Sequence, residues 1–192
     1  MTYTEQADAL LREWVQSESL RGHCYAVGAS MRHFARLNSA DEDLWGAVGI
    51  LHDMDYERHP NLEHREDAHP FVGVAYLRTH GWSEEVCRAI LSHADYSGVP
   101  RESALEKTLA AVDELSGFVM AVARVKPNKS LDEVDVASVR KKLKDKAFAR
   151  AVSREEITHN AEALGMPLDE LIGHVIQALR ADASRLGLAG GS

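Results

Sequence analysis

Apolar residues recur along this chain at spacings of three and four, and no stretch alternates convincingly between apolar and polar positions. That period returns one face of each segment to a core once per helical turn. Ala7, Leu10, Leu11, Trp14 and Val15 predict a first helix over 3–17, broken by Ser17 to Ser19. Tyr25, Val27, Met31 and Phe34 mark the buried face of a second, over 20–37, closed by Asn38 and Ser39. A third starts after Ser39 or Asp41 and runs through Leu44, Val48 and Leu51 to Asp53. Its acidic residues at 41–43 suit the positive end of a helix dipole.

From 55 to 67 the periodicity stops. The stretch is polar, contains Pro60, and is as long as loops become without structure of their own, a length that often carries function. A fourth helix over 70–79 stops at Gly81, and Ser83 with Glu84 and Glu85 starts a fifth that runs into His93. Tyr96 to Pro100 reads as a turn. The sixth helix, 103–125, is apolar on several faces and is expected at the centre of the core.

Beyond Pro127 the signals are capping boxes at Ser130/Glu133 and Ser153/Glu156. The lysine-rich stretch 140–146 reads as a solvated helical face or hinge, and Pro167 opens a last helix through Leu171, Val175, Ile176 and Leu179. The expectation is an all-α protein: a helical core over 1–125, a helical extension over 126–186 packed on the same domain, and a flexible Gly-rich tail over 187–192.

Composition narrows the partners. The 45% hydrophobic content of 192 residues supports one sizeable core. A net charge of -8 with no long basic run disfavours a nucleic-acid polymer or an acidic membrane surface. Cys24 and Cys87 read as buried free thiols rather than a disulfide framework. No run approaches the roughly 18 apolar residues of a membrane span, and Glu5 and Asp8 interrupt any signal core. A cytoplasmic protein is the simplest expectation. The apolar faces of the C-terminal helices would close the core or form a homodimer.

The candidate chemistry begins where the apolar run Gly49-Ile50-Leu51 ends in His52-Asp53. Ionisable neighbours in a buried setting need a partner, and imidazole nitrogen with carboxylate oxygen suits a divalent metal. Asp113, midway along an apolar helix, poses the same problem. In chain order the candidates are His23, His52, Asp53, His69, His93 and Asp113. His23, His52, Asp53 and Asp113 would make one octahedral-type site. His69 and His93 would add a second metal, with Asp53 as the bridge. Two close metals bind one phosphate and acidify a shared water. Mixed His and carboxylate ligation suits Mn, Fe, Co, Ni or Zn, with Mg a further candidate.

The order His…His-Asp…Asp resembles the HD-domain metal-dependent phosphohydrolase superfamily. Gly22-His23-Cys24 resembles its first ligand, Leu51-His52-Asp53-Met54-Asp55 the doublet, and Ala111-Val112-Asp113-Glu114-Leu115 the last ligand. Ala68-His69-Pro70-Phe71-Val72-Gly73 resembles the His-Pro-x-x-Gly turn of dinuclear branches, and Leu91-Ser92-His93-Ala94-Asp95 their His-His-Glu segment, with Ala94 in place of the second histidine. The resemblance covers roughly residues 20–125 and implies an HD-domain helical bundle that cleaves a small, nucleotide-like phosphate ester with one or two divalent ions. Ala94 and the Asp55-Tyr56 pair depart from the cyclic-di-GMP branch.

Further roles are assigned on this basis. Asp53 bridges; Asp55 and Asp95 orient the water or pass a proton. Arg58, Arg65, Lys107, Lys126 and Lys129 are candidates for the substrate phosphate, with Lys107 favoured for its offset of six from Asp113. His64 competes with His69, and His59 in the loop is a further candidate for substrate contact. His33, His80, His159 and His174 are read as surface or supporting residues. Two other readings of the ligand set are a di-iron oxygenase on the same fold and a metal-retaining module that senses a nucleotide.

Overall fold

The computed structural model describes residues 1–191. Among them the elements are α1 (Tyr3–Trp14), α2 (Glu18–Leu37), α3 (Glu42–Leu51), α4 (Phe71–Thr79), α5 (Glu84–His93), α6 (Ala104–Arg124), α7 (Val136–Lys144), α8 (Arg154–Leu164) and α9 (Leu168–Ala181), with short 3-10 turns at Asp95–Ser97 and Leu131–Glu133. The β-type pairing among the described residues is one antiparallel bridge, Ser130 with Ala189. The fold is all-α.

Each boundary has a local cause. Thr2 caps α1 in a capping box with Glu5. Asp41 accepts the N–H groups of Asp43 and Leu44 and so fixes the start of α3. Ser17, expected as a breaker, is the N-cap of α2 and accepts from the Leu20 N–H. The second helix therefore starts at Glu18, and His23 lies in its second turn. Ser130 and Glu133 form the expected box. At α8 only half of it forms: Ser153 accepts the Glu156 N–H, while the Glu156 side chain turns to a cavity.

Packing puts α6 at the centre, against α2, α5, α8 and α9. Leu109, Val112, Leu115, Phe118 and Val119 of this helix are fully buried. Helices α2 and α3 meet at van der Waals distance through glycine. A Cβ on Gly49 would stand 2.7 Å from the backbone N of Gly28, closer than packed atoms tolerate. This approach carries the end of α3 up to the second turn of α2. Helices α8 and α9 lie on α6 and α2, and their Ile157, Leu171, Val175 and Leu179 belong to the same apolar core as Val27 and Phe34.

The tail departs from expectation. Leu188 is 3% exposed, and its carbonyl accepts the Leu131 N–H at 2.9 Å. The chain is thus packed through Ala189 rather than frayed from 187; Ser192, the end of the expected tail, lies outside the described residues. Cys24 and Cys87 are buried free thiols. No described helix is long and apolar enough to cross a membrane.

Candidate metal centre

Five separate pieces of chain deliver the six ligand candidates. His23 comes from α2, His52 from the C-cap of α3, Asp53 from the turn after it, His69 from just before α4, His93 from the end of α5, and Asp113 from mid-α6. They fall into two groups able to hold a metal: His23, His52, Asp53 and Asp113, and then Asp53, His69 and His93.

Asp53 belongs to both groups through different oxygens. Its Oδ2 lies 3.3 Å from His52 Nε2 and 3.5 Å from His23 Nε2. Its Oδ1 lies 3.2 Å from His69 Nε2 and 3.4 Å from His93 Nε2. Asp113 Oδ1 closes the first group, 3.0 Å from His23 Nε2 and 3.2 Å from His52 Nε2.

The outer ring nitrogens decide what faces inward. His52 Nδ1 donates to the Gly49 carbonyl at 2.6 Å, and His93 Nδ1 donates to the Ile90 carbonyl at 2.5 Å. His69 Nδ1 lies 2.6 Å from Asp55 Oδ1, to which it donates. With those N–H groups committed, each neutral ring aims the lone pair of Nε2 into the cluster. His69 Nε2 then faces His93 Nε2 at 3.3 Å, and His23 Nε2 faces His52 Nε2 at 3.2 Å. Lone pairs and carboxylates cannot crowd together at these distances unless a cation sits among them. The donor set fits divalent metal: nitrogen and oxygen ligands, with the far nitrogens of His52, His69 and His93 anchored.

Without metal, protons serve as the cations. Burial opposes charge on His52, but Asp53 and Asp113 outweigh it and hold the imidazole well above its ordinary value. Burial likewise opposes charge on His69, yet Asp53 and Asp55 lift it to about 9. Burial would raise Asp53 and Asp113; instead His52 and the neighbouring imidazoles hold both carboxyls below the usual carboxylate range.

Asp55 has no free oxygen for a water. Its Oδ1 takes the His69 Nδ1 proton, its Oδ2 accepts the Gly73 N–H at 2.7 Å, and it is 1% exposed. A Cβ on Gly73 would stand 3.1 Å from the carboxyl carbon, so glycine makes room for this contact. Asp55 anchors His69 from outside the cavity lining, not from the place expected of a catalytic carboxylate. Tyr96 adds a second tie, donating its hydroxyl to the His69 carbonyl at 2.6 Å. Burial, then Asp55 and Asp53, push that hydroxyl to about 12, and it remains a donor.

A cavity of about 430 Å³ opens over the cluster. Asp95 lines it at the rim, with an exposed side chain paired to Arg101 at 2.7 Å. The expected phosphate-binding side chains do not reach it. Arg58 lies over the Trp14 ring and donates to the Glu13 carbonyl. Lys107 fails on helical phase, since six residues turn a helix by about 600°, some 120° away from Asp113. Lys129 sits beyond the far end of α6, beside Gly187 and Gly190. Arg65 pairs with Asp67 at 2.7 Å, and Lys126, His59 and His64 lie outside the cavity lining. His33, read as a surface or supporting residue, is buried and meets His174 at 3.0 Å between α2 and α9.

Sequence reading missed Tyr56, Tyr96, Arg101, Glu114, Glu156 and Asn160, all in the lining. Glu114 neighbours Asp113 on α6, and adjacent helical positions lie about 100° apart, close enough to border one cavity. Glu156 and Asn160 share a face of α8 at the i, i+4 spacing, but nothing local ties that face to a cluster ending at Asp113. Burial first, then Asp113 and Glu156, raise the Glu114 carboxyl to about 7.

A family model described as HD domain matches residues 20–117, which run from α2 into α6 and span all six ligand candidates. The chain belongs to the HD-domain family. Membership makes it part of a metal-dependent hydrolase-type family whose members bind divalent metals, in keeping with the two clusters described. No curated protein and no solved structure matches the chain.

Proposed function

We propose that this HD-domain protein is a phosphohydrolase that cleaves a small phosphate monoester in the cavity over the His–Asp cluster. The observation that carries the reading is Asp53, whose two oxygens face two separate ligand groups. Divalent ions held by those groups would neutralise phosphate oxygens and acidify a water for in-line attack. The water's oxygen bonds to phosphorus, the P–O bond to the alcohol breaks, and the alcohol and inorganic phosphate leave.

The chain's own residues prepare this step. Carbonyls of Gly49 and Ile90 and the Asp55 carboxylate hold the imidazoles in one tautomer, so no reorganisation is needed when charge develops. Asp53 and Asp113 supply the negative charge that retains the ions. Glu114 lines the cavity wall beside Asp113.

The test is phosphate release from a panel of monoesters by Mn-, Co- or Mg-loaded protein, with metal content measured alongside. Asp53→Ala is expected to lose both ions and all turnover. Release that persists in Asp53→Ala with two ions still bound refutes the proposal. So does iron-dependent dioxygen uptake without phosphate release.

A further inference from the structure

The cavity wall beyond the six ligand candidates carries an unusual charge pattern. Its charged members are Asp95, Glu114, Glu156 and Arg101, with no lysine. A phosphate-binding wall would present free cations; this one does not. Arg101 donates Nε to the Ser92 carbonyl at 2.8 Å and Nη2 to the His93 carbonyl at 3.0 Å. Its Nη2 also donates to Asp95 Oδ1 at 2.7 Å, and Nη1 to Asn160 Oδ1 at 3.3 Å. Four of the five guanidinium N–H groups are thereby spent on the protein. The Asp95 charge is cancelled by Arg101, which leaves Glu114 and Glu156.

Those two carboxylates are poorly served. Glu114 accepts one backbone bond, from Ser153 at 3.3 Å. The Glu156 carboxylate has no hydrogen-bond or ion-pair partner among the described residues, having forgone the capping box open to it on α8. That a ligand occupies this space does not depend on these acids, because the two metal-ligand groups form the floor of the same cavity. The acids decide what the far end of that ligand can be. A second anionic group would face two carboxylates that no protein cation neutralises, the half-buried Glu114 and the exposed Glu156, whereas an ammonium would complete them with charge-assisted bonds.

We infer that the cavity selects a phosphate monoester whose alcohol portion carries an ammonium group, seated between Glu156 and Glu114, and that it excludes esters with a second anionic group. The phosphate end of this inference rests on the phosphohydrolase reading of the same cavity; the ammonium end rests on the wall alone. Nucleoside di- and triphosphates are thereby disfavoured.

The experiment is calorimetric binding to Mn-loaded protein, read separately from turnover. The probes are ω-aminoalkyl phosphates of increasing chain length, alkyl phosphates of matched length, and the corresponding alkanediol bisphosphates. At the best length the amine is expected to bind at least about tenfold more tightly than its alkyl match, the yield of one well-placed charged contact. The bisphosphate is expected to bind more weakly than either. Glu156→Gln or Glu114→Gln is expected to erase most of that preference while two metal ions per chain remain bound. Equal binding of amine and alkyl esters overturns the inference, as does a preference that survives both substitutions. Loss of a third metal ion in Glu156→Gln, with no amine preference in the wild type, also overturns it and marks the wall as a cation site instead. Amine-selective binding without phosphate release keeps the inference and refutes the hydrolase. Release from amine and alkyl esters alike keeps the hydrolase and refutes the inference.

Discussion

Asp55→Asn tests how the second ligand group is built. Asp55 offers two acceptors to two buried donors, His69 Nδ1 at 2.6 Å and the Gly73 N–H at 2.7 Å. Asparagine keeps the shape but has a single oxygen. If that oxygen stays on Gly73, an amide N–H₂ confronts the His69 Nδ1–H, and the ring can accept from it only by moving its proton to Nε2. That proton would then sit where the lone pair faces Asp53 Oδ1, 3.2 Å away, and His69 would no longer be a ligand. If the amide flips, the buried Gly73 N–H loses its acceptor at a cost of about 1–3 kcal/mol. Losing the anchor of a ligating histidine costs about 10–100-fold in metal affinity, or ~1.4–2.7 kcal/mol. The first group, His23, His52, Asp53 and Asp113, makes no contact with Asp55 and keeps its ligands. Chelator-competition titration should therefore show two binding steps in the wild type, of which one weakens by about 10–100-fold in Asp55→Asn and the other barely moves. Two unchanged steps would refute the positioning role. Equal weakening of both would show that the groups are not separate sites.

Metal-free protein should lose stability as pH rises. His69 is raised to about 9 in the folded state from about 6.5 unfolded, so its contribution is complete below the unfolded value and is lost as pH climbs through the folded one. Thermal midpoints after chelation should fall across that window and flatten when metal is restored; a flat metal-free profile would argue against proton-for-metal substitution. Gly49→Ala should destabilise by about 1–3 kcal/mol through overpacking and weaken metal binding, since its Cβ would strike the Gly28 backbone and move His52 away from His23; denaturant melts with metal analysis would show this, and unaltered stability would contradict the contact. Leu188→Ala should cost about 2–4 kcal/mol because the side chain is 3% exposed. A neutral result there would restore the frayed tail.

Much of the molecule is legible along the chain. Helical periodicity is local, so Leu10, Leu11 and Trp14 or Val86, Ile90 and Leu91 announce their helices without reference to anything distant. Caps are equally local, and Ser83, Ser130 and Ser153 stand where the residues place them. The six ligand candidates stand out because imidazoles and carboxylates are costly amid apolar neighbours, and the structure brings all six together.

Tertiary structure decided everything that depends on direction. His23 and Asp113 are 90 residues apart in sequence yet meet at 3.0 Å, and only the glycine-mediated approach of α2 to α3 with α6 behind them brings that about. Asp53 reads as a bridge in sequence, but which oxygen serves which group depends on where α4 and α5 deliver their imidazoles. Asp55 lies two residues from Asp53 and resembles a second catalytic carboxylate; the turn instead buries it against His69 and Gly73. Distance along α6 favours Lys107, and rotation around the helix turns it away from Asp113. Arg101, Glu114 and Glu156 reach one wall from α6, α8 and the turn before α6, and no spacing along the chain encodes that meeting. Residue type and period are properties of a segment, whereas the aim of a lone pair, the sharing of a carboxylate and the charge of a cavity are set by segments that meet only after the core has closed.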